Sequence, residues 1–173
     1  MNKLFLFFLV IMIILTGCSS EETDSPIYSG KNLDIGVVGK NPNVREDNVK
    51  FKSITLDELE TNTEKISTEF DAVFIMKEHL SQAAESKYAN VYKILSIPTF
   101  FIESSKGYLP FVYEDITYEN APEINSQTYA SGYLHDGEIY KSWDYGLYND
   151  TFNETNIKDV YTRIFTTIDT VGK

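Results

Sequence analysis

Cysteine is all but missing from this chain. Cys18 is the single one in 173 residues, and histidine is limited to His79 and His135. One thiol closes no disulfide within the chain and makes no Cys-X-X-Cys pair, which excludes that redox chemistry. Zinc sites of the cysteine–histidine type are excluded with it, since two imidazoles fall short of a four-ligand set. Positive charge is scarce too: 15 Lys and Arg stand against 26 Asp and Glu, a formal net charge of −11. The basic footprint that nucleic acid requires is therefore missing, and the folded body has little attraction to anionic lipid. No glycine-rich phosphate loop, nucleophile elbow or metalloprotease helix motif occurs in the sequence. Long apolar runs are limited to Leu4–Leu15, twelve residues. As a helix these reach about 18 Å, short of a hydrocarbon core about 30 Å thick.

What is present begins with that run. Lys3 precedes it, and Leu15-Thr16-Gly17-Cys18 closes it. A positive start, an apolar middle and small residues at the end mark a secretory signal. The four closing residues resemble the lipobox of bacterial lipoprotein precursors. That resemblance implies cleavage after Gly17 and a diacylglycerol on the sulfur of Cys18. Two acyl chains, at ~0.8 kcal/mol per buried CH₂, make a firm anchor where one chain holds only marginally. The expected organisation is a signal peptide over 1–17, a lipidated flexible tether over 18–32 and one α/β domain over 33–173. The expected location is the extracytoplasmic face of the cell membrane, held there by lipid.

Beyond the tether, Leu33 to Gly39 is a β-rich apolar run, as expected of a buried strand, and Val49 to Ile54 alternates like a half-exposed one. Thr55 and Glu58 form a capping box ahead of a helix. Phe70 to Met76 reads as a central strand, and a second helix is predicted from about Glu78 to Leu95, ending before Ile97-Pro98. Thr99 to Glu103 is a strand, and Tyr108 to Tyr113 is predicted as its antiparallel return. A long loop over 114–127 leads to a hairpin around His135-Asp136-Gly137. The last helix is predicted to be capped by Asn156, with Ile157, Val160, Tyr161, Ile164, Phe165 and Ile168 on one face.

Strands alternating with helices imply an α/β fold with a mixed β-sheet flanked by helices. The run Tyr92 to Phe101, with Ile97-Pro98-Thr99 in it, resembles the second half of a thioredoxin fold. In that family the proline of this motif is cis and borders the active site. The redox cysteines of the family are absent here, so the resemblance implies a fold without its chemistry.

Candidate chemistry is sparse. Glu78 and His79 follow a central strand and pair a carboxylate with an imidazole, as general base catalysis would use them; the same residues suit a polar first turn of a helix. His135 and Asp136 at a hairpin tip are equally explained by turn formation. Glu114, Asp115 and Glu119, or Asp144 with Asn149, Asp150 and Asn153, carry calcium-type oxygens but lack the spacing of a calcium loop. No metal and no cofactor is expected. Ten aromatics crowd residues 108–148, and Tyr and Trp are enriched where proteins grip partners. Trp143, Tyr145 and Tyr148 are the expected contact patch, with Tyr145 and Tyr148 placed in a loop. The expected function is a non-catalytic binding or interaction module, anchored through Cys18 and meeting a protein or cell-envelope partner. The alternative is a cell-envelope hydrolase using Glu78 and His79.

Overall fold

A computed structural model describes residues 25–123, 127–137 and 139–172. Gly17 and Cys18, and with them the predicted cleavage and lipidation, lie outside the described residues. Six strands form one sheet in the order β2-β1-β3-β4-β5-β6. They are β1 (Leu33–Val38), β2 (Val49–Ser53), β3 (Ala72–Ile75), β4 (Thr99–Ile102), β5 (Thr128–Asp136) and β6 (Ile139–Gly146). The first four run parallel, while β5 is antiparallel to β4 and β6 to β5. Strands β3 and β4 are buried at every residue. That is why they read as unbroken apolar runs: a parallel strand covered on both faces has no solvent side to alternate with.

Helices α1 (Leu56–Thr61), α2 (Thr63–Glu69), α3 (Leu80–Ala83), α4 (Ser86–Ile94) and α5 (Leu109–Val112) cover one face of the sheet. Helix α6 (Glu154–Val171) covers the other. The α/β expectation, a mixed sheet flanked by helices, is what the chain adopts. The capping box is present as read: Glu58 N–H donates to Thr55 Oγ1 at 3.1 Å, and Thr55 N–H to Glu58 Oε2 at 2.8 Å.

Several boundaries differ from the sequence reading. Residues 108–113 are no strand. Pro110 sits at the start of the helical turn α5, where its missing N–H costs nothing. Phe111 stacks on Phe101 with centroids 3.6 Å apart, and β5 supplies the antiparallel return instead. The first predicted helix breaks at Asn62, and the second divides into a 3₁₀ turn at Lys77–His79, α3 and α4. Pro98 is trans, since no described peptide bond is cis. With α5 in place of a hairpin and β4 parallel to β3, the thioredoxin likeness ends at the motif. The cap of α6 is Asn153, not Asn156: Asn153 Oδ1 accepts the Asn156 N–H at 2.8 Å. Asn156 is instead fully buried, donating from Nδ2 to the carbonyls of Tyr148 (3.2 Å) and Thr151 (3.0 Å).

Part of the stretch expected as tether, residues 25–31, packs on the domain. From Ser25 onward the chain belongs to the domain. Tyr28 is buried against Phe165, ring centroids 6.1 Å apart. Ser25 bonds to Asp159, and Arg45 reaches Thr162 Oγ1 at 2.7 Å and the Ser25 carbonyl at 3.4 Å. Further on, Gly30 lies beside Asp169 and Lys31 beside Gly172. Residues 25–31 thus run along α6 in the same direction as the helix. A lone tyrosine inside a polar stretch has no period to betray it.

Candidate functional site

The sheet has one place where its connections part. The chain leaves β1 at Gly39 and returns to β2 across the α6 face, where Val44 packs. It leaves β3 at Met76 and crosses the opposite face through Leu80 and Ala83. Between such diverging exits, outside the carboxyl ends of the strands, α/β sheets leave a crevice suited to ligands. Here that crevice is a cleft of about 580 Å³. The exits from β1 and β3 bring Lys40, Asn41, Asn43, Met76 and Glu78 to it. The end of β4 adds Glu103, the start of β5 adds Tyr129, and the run into α6 adds Phe152 and Ile157. A second hollow of about 240 Å³ adjoins it, sharing Glu103, Tyr129 and Phe152 and adding Gln127 and Asp150.

Backbone strain collects at the same edge. Among the described residues, the non-glycine positions with left-handed backbone are Glu103 (φ 58°), Asn149 (47°) and Asp150 (53°). Asn and Asp adopt that conformation with some ease, whereas Glu does not, and such strain costs of order 1–3 kcal/mol and gathers at functional sites. Gly39 has φ 119°, and a Cβ there would meet Glu78 Oε1 at 2.6 Å and Met76 Cβ at 2.8 Å. Only glycine lets the two strand exits approach so closely.

The cleft has an aromatic floor and a polar rim. Tyr129 and Tyr161 both line it. Burial pushes the Tyr129 hydroxyl up to about 12, with the Glu103 charge adding to it. Burial raises Tyr161 further, helped by Tyr129. Both rings therefore stay protonated and serve as hydrogen-bond groups, not charges. On the rim, Glu103 Oε2 pairs with Lys77 Nζ at 2.9 Å. Glu78 Oε1 accepts the Lys40 N–H at 3.0 Å, and its own N–H together with that of Lys40 holds its carboxyl below the usual range. Glu78 is thus a resident anion that ties β1 to β3 and a poor proton donor.

A pH dependence follows with a definite sign. A carboxylate whose pKa falls on folding contributes stability that is present above its unfolded value, about 4.3, and lost as pH falls through the lowered folded value. Glu78→Gln should therefore be less stable than the natural protein at pH 7, by under about 1 kcal/mol because the group is solvent-exposed. The gap should close as urea midpoints are followed from pH 5 downward.

The sequence-predicted residues scatter. Glu78 lines the cleft, but His79 lines a different hollow with Thr55 and Gln82, so the pair does not converge on one substrate position. His135 and Asp136 sit at the opposite edge, near Lys93 and Val171. Tyr145 is not in a loop: it is buried in β6, its hydroxyl 2.8 Å from Thr167 Oγ1. Trp143 is half-buried and stacked on Phe100, leaving Tyr148 as the exposed member of the three. One exposed ring elsewhere, Tyr140, packs over half-buried Tyr108 and buried Tyr133 at 5.8 and 6.2 Å. Glu114, Asp115 and Glu119 are exposed on their loop. Asp144 accepts from Ser131 Oγ, Asp150 accepts from Gln127 Nε2, Asn149 lies in the turn and Asn153 caps α6. Among the described residues no group of three or more His, Cys, Asp or Glu is placed to hold a metal ion.

Sequence reasoning missed Lys40, Glu103, Tyr129, Phe152 and Tyr161. Position relative to the strands was the usable signal: Lys40 and Glu103 each follow a buried parallel strand directly. Compared with models of known families, with curated proteins and with solved structures, the chain finds no match.

Proposed function

We propose that this chain is a lipid-anchored extracytoplasmic binding protein, tethered through Cys18, which holds a small polar ligand in the cleft at the carboxyl edge of its sheet without transforming it. One observation carries the reading of the domain: an open cleft, strained backbone and the parting of the chain connections coincide at one edge. The anchor rests on Leu15-Thr16-Gly17-Cys18. The lining selects the ligand's chemistry. Tyr129, Phe152, Met76 and Ile157 offer an apolar floor, while the carboxylates of Glu78 and Glu103 accept hydrogen bonds and the amides of Asn41 and Asn43 both donate and accept them. A ligand with a nonpolar face and several O–H or N–H donors fits, such as a sugar or amino sugar. An anion would meet three carboxylates, Glu78, Glu103 and Glu154, and is disfavoured.

Calorimetric titration with neutral hexoses and amino sugars tests the domain. Binding should be lost by tenfold or more in a protein carrying both Phe152→Ala and Glu103→Gln, a loss of about 1.4 kcal/mol. Equal affinity in that variant, or no binding by any of these sugars at millimolar concentration, would count against the cleft. Mass analysis of the amino-terminal peptide tests the anchor separately: a free thiol at Cys18 would remove it.

A further inference from the structure

The amino-terminal segment does more than complete the core, for it decides which way the domain leaves its anchor. Ser25 is fixed beside Asp159 and Arg45, and the chain from there to Lys31 follows α6 toward the helix's carboxyl end. Traced backward, the segment points to the amino end of α6, which is the edge bearing the cleft. From the level of Asp159 to that of Glu154 is about 8 Å along the helix, and to Val171 about 18 Å. Cys18 precedes Ser25 by seven residues, a chain reach of at most ~25 Å. A short path therefore joins the anchor to the cleft edge. Turning the other edge to the membrane would consume most of that reach in doubling back along α6.

The same edge carries two exposed aromatic side chains, Phe152 at 66% and Tyr148 at 42%, in the turn between β6 and α6. Rings of this kind settle at the boundary between lipid and water. We propose that the carboxyl edge of the sheet faces the bilayer, with Phe152 and Tyr148 in contact with its interface. The occupant is lipid with neutral headgroups, since Asp150 and Glu154 flank the rings and would be repelled by an anionic surface. The cleft then opens within a few ångströms of the membrane, and its ligand is one found at that surface. This orientation rests on the anchor proposed for Cys18.

Fluorescence quenching tests it on the full lipidated protein in phosphatidylcholine vesicles containing a headgroup-spin-labelled lipid. The thiol of Cys18 is consumed by the anchor, so Asn41→Cys and Ile139→Cys each accept one fluorescent label, at the carboxyl and amino edges respectively. The label at 41 should be quenched at least twofold more than that at 139. Adding Phe152→Ala to the Asn41→Cys protein should lower the quenching at 41. Equal quenching at the two positions, or stronger quenching at 139, would overturn the orientation and leave the anchor standing. A protein that stays in the supernatant with a bare Cys18 thiol would overturn both.

Discussion

Phe165→Ala should lose about 3–5 kcal/mol of stability, the range for truncating a fully buried phenylalanine. No part of this ring is exposed, and it joins four elements of the molecule. Its centroid lies 6.1 Å from Tyr28, 6.4 Å from Phe51, 6.3 Å from Phe74 and 6.3 Å from Tyr161. Its plane is nearly parallel to that of Phe74, at 8°. The amino-terminal segment, β2, β3 and α6 therefore all lose a neighbour at once. With total stabilities of about 5–15 kcal/mol for domains of this kind, the change would take a large share. Urea unfolding should show a lower midpoint at an unchanged slope, since the surface exposed on unfolding is the same. Phe165→Leu, which keeps most of the volume, should cost far less. A midpoint shift in Phe165→Ala worth under about 1 kcal/mol would mean that the ring is not the hub these contacts describe.

Gly132→Val should be nearly as damaging, for the opposite reason. Gly132 lies at the middle of β5 between Phe100 of β4 and Trp143 of β6. A Cβ there would meet Phe100 Cε1 at 2.7 Å and Trp143 Cε3 at 3.0 Å. Those two rings stack across the glycine with centroids 6.2 Å apart, so the empty position is what lets them touch. Overpacking a filled core costs about 1–3 kcal/mol and sometimes more, and a branched side chain in a central strand cannot swing clear. Trp143 is the chain's single tryptophan, which makes the effect directly visible. Its emission should shift to the red in Gly132→Val as the indole is displaced into water, alongside a lower urea midpoint. Unchanged emission would contradict the stacking.

How much of this was legible in the sequence depended on where each residue's partners lie. Strands β3 and β4 announced themselves because burial at every residue favours apolar side chains, and β1 did so despite its exposed Asp34. The Thr55–Glu58 cap was legible because its partners are three residues apart. Residues 108–113 misled, since Tyr-Leu-Pro-Phe-Val-Tyr is as apolar as a strand; Pro110 was the sign that a helical first turn suits it better. Tyr28 was illegible because its partner, Phe165, is far off in sequence. The cleft was only half legible for the same reason. Glu78 was found as a polar residue after a strand, but Glu103, Tyr129 and Tyr161 become neighbours only once three strands and the last helix are in register. The pairing of Glu78 with His79 failed on geometry: adjacent residues at the start of a helical turn point into different hollows.

The place of α6 after all six strands sets an order of events. Leu33, Ile35 and Val37 are made long before the partners they face on that side, Ile164, Phe165 and Ile168. That side of the interior therefore stays unclosed until α6 has been made. For a polypeptide threaded through a membrane pore, that lateness keeps the moving strand slack enough to pass. For one released directly into water, it leaves a row of bare rings waiting for α6 to arrive.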